Sequence, residues 1–387
     1  MKTAPPCPVC GSERTRSFLR RTSVPVHQNL VCPTRQDALQ VARGDLSMRA
    51  CHTCGFVFNA AFEESRLSYG VSYDNTQSHS AFFRQHLLER ATHLVGSRDV
   101  TGCRIVEVGC GKGEFLRLLV EDPAHGNTGV GFDPSHDGPL SDCGGRMRFE
   151  HRFFDETCTG QADVVICRHV IEHVPRPVGL LSAVRRAVGG GGPTRVFLET
   201  PCVEWILRHR VFWDFFYEHC SLFSAGSLKI AFERSGFSVR SVGHVFGGQY
   251  LWIEATPAGS PEETPPDARD IPRLTRGFAV AESCLRAAWS SRIGQYADAG
   301  KVALWGAGAK GCTFACLVDP ENRLIDCLVD LNRNKQGRFV PGTGHPILGE
   351  ERLPDRGVRT AILMNPNYRE ENTAMLERID RTIRLVE

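Results

Sequence analysis

Four cysteines are set apart by their spacing. Cys7-Pro8-Val9-Cys10-Gly11 and Cys51-His52-Thr53-Cys54-Gly55 are two C-x2-C knuckles, each followed by glycine. Such a pair suits a tetrahedral site of four thiolates, the arrangement zinc prefers. The glycine lets the backbone turn so that amide N–H groups approach sulfur. The long gap between the knuckles is a minor obstacle, because loop-closure entropy grows only logarithmically with length. Four thiolates leave no open coordination position, so Cys7, Cys10, Cys51 and Cys54 are expected to hold a structural Zn2+, not a catalytic one. Redox use of either pair would need an adjoining βαβ unit, and none is legible.

A second concentration of chemistry is Glu107-Val108-Gly109-Cys110-Gly111-Lys112-Gly113. An apolar run leads into it and a helical run from Glu114 leads out. Residues without a Cβ can take positive φ, so such a loop lets the backbone pass close beneath a ligand. The next strand, Thr128–Phe132, ends in Asp133, about 20 residues on, where a carboxylate accepts ribose hydroxyls. The spacing leaves a dinucleotide and S-adenosylmethionine both open. The loop lacks the G-x-x-G tail that seats a pyrophosphate on a helix N-terminus. Glu107 would repel a pyrophosphate but tolerate a sulfonium ligand that carries an ammonium group.

A third motif is Gly306-Ala307-Gly308-Ala309-Lys310-Gly311 after the strand Lys301–Trp305, with Asp330 closing the following strand. By pattern alone this is a dinucleotide site. An oxidoreductase would also need residues for hydride transfer, and the remaining sequence offers no recognisable set.

The elements that must position these motifs fall into blocks. The chain has 387 residues, enough for two or three domains at about 150 residues each. It is 41% hydrophobic and 23% charged, a composition for folding and not for disorder. Residues 1–95 carry the knuckles and end in a helical stretch, 80–95. Residues 96–256 alternate apolar strands with amphipathic helices and close with a β-hairpin over 237–256. Residues 257–273 are proline-dense and polar and read as a linker. Residues 274–387 open with a helix over 274–296 and repeat the strand–helix pattern, so both later blocks predict mainly parallel sheets. A net charge of +2 provides no field to recruit nucleic acid or an anionic membrane. No apolar run reaches the ~18 residues of a membrane span, and the first residues show no secretory h-region. With sixteen cysteines and no leader, a reducing cytoplasm is the expected setting.

A sheet of this kind ending in an antiparallel hairpin resembles the Rossmann-like core of class I S-adenosylmethionine (SAM) methyltransferases, with Glu107–Gly113 as their first motif. The full α/β layout, an N-terminal zinc-binding domain, that core and a C-terminal Rossmann-like domain, resembles the sugar C-methyltransferases that make branched deoxysugars. The matching motifs are the two knuckles, Glu107–Gly113, His173 in Glu172-His-Val-Pro175, and Glu218-His219 in Tyr217-Glu-His-Cys-Ser-Leu-Phe-Ser224. Gly247-Gly248 and Gly306–Gly311 complete the set. The resemblance implies a dTDP-linked 4-keto sugar methylated at C3, with the glutamate–histidine pair in the active site and the C-terminal domain helping to hold the nucleotide.

The chemistry gives these residues roles. Carbon methylation needs a carbanion equivalent, so a base must remove a proton α to a carbonyl, and a histidine such as His219 suits that task. The developing enolate oxygen needs a donor, for which Tyr217, Tyr73 and protonated His173 are candidates. Glu218 would orient His219 or hold a sugar hydroxyl. Glu107, Gly109, Gly111, Gly113, Asp133, Arg168 and His169 are expected around the cofactor. Gly247, Gly248, Gly306, Gly308, Lys310, Gly311 and Asp330 are expected around the acceptor, a small molecule and most simply a nucleotide-diphosphate sugar, on a monomer or homodimer. The chain departs from the family at Phe216, where a tyrosine is usual, and after Gly248. O-methylation of a sugar or natural-product hydroxyl by the same histidine is the alternative reaction, and a non-catalytic zinc- and nucleotide-binding module is the alternative outside catalysis.

Overall fold

The computed structural model describes residues 5–67, 76–155, 157–158, 162–187, 194–258 and 265–387. Three sheets organise them.

The first contains β1 (Thr15–Pro25), β2 (Arg43–Cys51) and β3 (Val57–Asn59), all antiparallel, and takes its fourth strand, β10 (Ser221–Leu222), from far along the chain. The N-terminal sheet is therefore completed by the segment that carries Glu218 and His219.

The second sheet has eight strands. β4 (Arg104–Val108), β5 (Thr128–Phe132), β7 (Met147–Glu150), β8 (Val164–Arg168) and β9 (Arg195–Pro201) are mutually parallel. β6 (Ser141–Asp142) pairs antiparallel with β7, and β12 (Tyr250–Pro257) joins β9 to β11 (Phe237–Val245) in an antiparallel hairpin. The order β11-β12-β9-β8-β4-β5-β7-β6 reverses direction at β4. Open α/β sheets bind ligands at the carboxyl ends of strands beside such a switch point, here the loops after β4 and β8. The apolar strand residues Ile105, Val164, Val165, Ile166 and Leu198 are all buried, as strands covered on both faces must be.

The third sheet, β15-β14-β13-β16-β17, is wholly parallel: β13 (Lys301–Trp305), β14 (Cys327–Val329), β15 (Ile347–Leu348), β16 (Val358–Leu363) and β17 (Arg384–Val386).

The helix Ala81–Thr92, expected at the end of the N-terminal block, packs Phe83, Leu87 and Ala91 into the same apolar cluster as Ile105, Phe115 and Leu116 of the central block. Its N-terminus is capped twice. Ser80 accepts from the Phe83 N–H, and the Glu371 carboxylate of the C-terminal block accepts from Ser80 Oγ and the Ala81 N–H. The expected 274–296 helix runs from Ile271 to Ala297. The three blocks are joined by buried polar contacts. Arg21 on β1 donates to the Phe212 and Phe215 carbonyls and to Glu282, while Asn367 donates to the Phe246 carbonyl. Among the described residues no helix is long and apolar enough to cross a membrane.

Candidate active site

Two cavities meet in the centre of the molecule. The larger, about 730 Å3, lies over the carboxyl ends of β4, β5 and β8 and is lined by Glu107, Gly109, Gly111, Asp133, Arg168, His169 and His173. The smaller, about 220 Å3, lies between the central and C-terminal blocks, with His219, Phe216, Gly306, Gly308, Lys310, Gly311 and Asp330 on its walls. His169, Thr76 and Gln77 line both.

The glycine loop is shaped by close approach. A Cβ on Gly109 would stand 2.1 Å from Val170 Cγ2, and its φ of 72° is left-handed, so only glycine fits. Gly111 has no atom within 4 Å of a would-be Cβ and faces the open cavity. Its N–H donates to Asp133 Oδ2 at 2.8 Å, while Asp133 Oδ1 accepts from the Ser135 N–H and hydroxyl. Gly113 is not on the cavity wall. It ends the loop with φ 78°, packed where a Cβ would meet the Phe149 ring at 2.5 Å.

Glu107 is 2% exposed and its Oε2 has no hydrogen-bond partner. Burial, opposed by Arg168 and reinforced by Asp133 and Glu114, pushes its carboxyl up to about 8. An orphaned carboxylate oxygen beside a glycine cradle fits a ligand that brings a cationic donor, as the ammonium-bearing SAM does. The donor set fits SAM better than a pyrophosphate.

Beside the residues shared by the two cavities lies a buried charged network, of which the sequence pointed to Arg168 and His169 but not to His86 or Glu199. Glu199 on β9 accepts from His86 Nε2 at 2.9 Å, Arg168 Nη2 at 3.0 Å and His169 Nε2 at 2.8 Å. His169 Nδ1 lies 3.3 Å from Glu172, which also accepts from the Thr200 hydroxyl. Burial would raise the Glu199 carboxyl, but Arg168, His169 and His86 outweigh it and hold it well below the usual range. Burial would lower His169, but its hydrogen bonds to Glu172 and Glu199 raise it to about 9. His169 is thus an imidazolium clamped between two carboxylates, with a left-handed φ of 53°, strain that the surrounding contacts must hold. Arg168 and His169 were expected around the cofactor, and the sequence signal for their buried partner was Glu199 itself, a charge inside the apolar run Val196-Phe-Leu-Glu-Thr200.

His219 packs its ring 4.0 Å from Phe216 and 4.9 Å, edge to face, from His173. Burial, together with the nearby charges of His173, His169 and Lys310, lowers it well below the ordinary histidine range. Its Nδ1 is buried without a partner. It is a neutral imidazole at neutral pH, able to accept a proton.

The remaining expected residues are placed differently. Tyr217 is fully buried on the opposite side of its segment. Its hydroxyl accepts from the Glu63 N–H at 2.9 Å and its ring lies against Phe62 and Gly44, so it faces the N-terminal sheet and not an acceptor. The Glu218 carboxylate also turns that way. Oε2 accepts from the Gln28 N–H at 2.8 Å and Oε1 lies 3.5 Å from His27 Nδ1, so it does not orient His219. Gly247 makes room for Asn367, whose Oδ1 would be 2.6 Å from a Cβ there, and Gly248 abuts Trp205. Gly247 serves the contact with the C-terminal block and Gly248 packing within the central block, and neither lines either of the two cavities. Tyr73 lies outside the described residues.

The C-terminal loop repeats the hydrogen-bond design of the first. The Ala307 N–H donates to Asp330 Oδ2 at 3.0 Å, and Asp330 Oδ1 accepts from the Asn332 N–H. Lys310 reaches over the cavity to Asp214 at 2.8 Å and Gln249 at 3.2 Å. Lys335 is buried 4.0 Å from Asp330.

The four knuckle cysteines converge within 4.8 Å of one another. Cys7 and Cys54 sulfurs are 3.6 Å apart, Cys10 and Cys51 sulfurs 3.5 Å. A tetrahedron with metal–sulfur bonds of about 2.3 Å has edges of about 3.8 Å, and the Thr53 N–H already points at Cys51 Sγ. The quartet could hold such an ion.

Comparison with known proteins agrees with this layout. Residues 81–242 match the family described as a methyltransferase domain, and residues 272–384 match the C-methyltransferase C-terminal domain. The C-methyltransferase NovU of Streptomyces niveus is 27% identical over 389 residues, covering 94% of this chain and 90% of that protein. A ubiquinone biosynthesis O-methyltransferase of Aeromonas salmonicida is 33% identical over 111 residues, 27% of this chain and 45% of the relative. Among solved structures, the magnesium protoporphyrin IX methyltransferase ChlM of Synechocystis is 15% identical with a TM-score of 0.37, over 48% of this chain and 88% of that one. A methyltransferase domain followed by a match to the C-methyltransferase C-terminal domain, in a chain aligned almost end to end with a C-methyltransferase, makes this protein a SAM-dependent methyltransferase similar in its whole layout to the C-methyltransferases.

Proposed function

We propose that the protein methylates carbon α to the carbonyl of a nucleotide-diphosphate-linked keto sugar, or a similar small polar metabolite, with His219 as the base. The observation that carries this reading is that the cavity holding His219 is walled by the C-terminal glycine loop and shares His169, Thr76 and Gln77 with the larger cavity over the loop Gly109–Gly111.

In this account Asp133 and the Gly111 backbone hold the cofactor's ribose, while Glu107 faces its ammonium group. SAM supplies an electrophilic methyl group. The Gly306–Gly311 loop with Lys310 and Lys335 receives the diphosphate of the acceptor, since backbone N–H groups at a helix N-terminus and nearby cations suit phosphate oxygens. That anchoring sets the sugar ring beside His219. The neutral imidazole takes the α-proton, and alignment in the joined cavities supplies most of the remaining rate. The Cys7, Cys10, Cys51 and Cys54 quartet holds a structural Zn2+ that ties the N-terminal sheet together.

The test uses a panel of nucleotide-linked 4-keto sugars, beginning with dTDP forms, deuterated at the carbon next to the carbonyl. Methylated product that has lost the deuterium supports the enolate route. Methyl transfer with full retention of deuterium would mean that a hydroxyl is the acceptor and His219 deprotonates oxygen.

A further inference from the structure

The enolate reading requires a hydrogen-bond donor at the acceptor's carbonyl oxygen. Tyr217 is turned to the N-terminal sheet, and the imidazolium His169 spends both ring nitrogens on Glu172 and Glu199.

A different tyrosine stands on the cavity wall. Tyr250 opens β12 directly after Gln249 and lines the same 220 Å3 cavity as His219. Its ring stacks on Phe246 at 4.7 Å and meets His169 edge to face at 4.5 Å, so its position is fixed from both sides. Only 7% of the residue is exposed, yet its hydroxyl finds no hydrogen-bond partner among the described residues. Tyr368, on the same wall, has Gln77 within hydrogen-bond distance. The Tyr250 hydroxyl is thus left free to meet a ligand that enters the cavity. Burial, with the neighbouring Tyr368, Glu199 and Asp214, raises its ionisation well above the ordinary phenol range, so the proton stays available for donation.

We propose that Tyr250 donates the hydrogen bond that stabilises the acceptor's carbonyl oxygen while His219 removes the adjacent proton. The inference rests on the enolate reading above. His219 takes the α-proton, the C–H electron pair forms the C=C bond, and the carbonyl π pair moves onto the oxygen that Tyr250 holds. The enolate carbon then bonds to the methyl carbon as the carbon–sulfur bond breaks and its pair stays on sulfur. The carbonyl reforms, and His219 keeps the proton until solvent removes it. Tyr250 remains a phenol throughout.

Tyr250→Phe tests this with the loss of one oxygen, since phenylalanine keeps the stacking on Phe246 and His169. Removing such a donor should lower kcat by ~10²–10³, with the acceptor KM and the SAM dissociation constant within about threefold of wild type. The rate of α-deuterium washout should fall by the same factor, which a packing role would not produce. Unchanged SAM affinity verifies that the variant is folded. A Tyr250→Phe enzyme whose washout and turnover match wild type overturns the assignment of Tyr250 while leaving the enolate route standing. Wild type that methylates without any washout overturns that route itself.

Discussion

Placed as proposed beside the cofactor's ammonium group, Glu107 should make cofactor affinity depend on pH, in a direction set by its burial. The carboxyl is pushed up to about 8, with one oxygen unpartnered, so the ligand-free protein holds it mostly protonated below neutrality. A cationic ligand that binds beside the ionised form must first displace that proton, and its affinity therefore rises with pH. From the titration of one group near 8, the ionised fraction grows from ~1% at about pH 6 to ~24% at about pH 7.5, an affinity gain of ~10- to 30-fold or about 1.5–2 kcal/mol. The window stops there because the α-amino group of the ligand titrates near ~7.7–8.0. Isothermal calorimetry across that range, in buffers of different ionisation enthalpy, reads both the dissociation constant and the proton released, close to one per cofactor near the acid end. Glu107→Gln should flatten the profile to within about threefold. An affinity that is flat or falls with rising pH in wild type, or a slope that survives in Glu107→Gln, would refute the reasoning.

Other consequences can be checked directly. His219→Asn should cut kcat by ~10²–10⁴ while the SAM dissociation constant, read by calorimetry, stays within about twofold. Asp133→Asn should do the reverse at the binding step. It removes a charged acceptor from the Gly111 N–H and, in the proposed role, from the ribose, worth about 1.5–3 kcal/mol or ~10- to 150-fold in affinity, and an unchanged dissociation constant would contradict that role. Cys51→Ser should lose bound zinc and fail to fold or melt far lower, because structural zinc contributes directly to folding. A soluble, metal-free Cys51→Ser protein with wild-type melting would remove the zinc claim.

Much of the architecture was legible because it is encoded in local patterns. β4 and β13 could be found from an apolar run ending in glycines, since strand, turn and helix each leave a short-range signature there. The knuckle cysteines were legible because metal-ligand spacing is itself a local pattern. What escaped depends on which way a side chain points. In the irregular segment Phe216–His219, Phe216 and His219 face the cavity while Tyr217 and Glu218 face the N-terminal sheet, and no periodicity betrays that turn. His86, Glu199 and His169 come from a helix, a strand and a loop spread over the central block, so their network exists only once the sheet has formed. The helix Ala81–Thr92 is adjacent in sequence to the knuckle block, yet its apolar face matches the central core.

The most direct test of the central claim is the product formed with 13C-methyl SAM and a nucleotide-linked 4-keto sugar, analysed by NMR. A methyl carbon coupled across a single C–C bond to the ring position beside the carbonyl is the result expected. A methoxy signal, or no transfer to any sugar of the panel by zinc-replete protein that binds SAM, would contradict it.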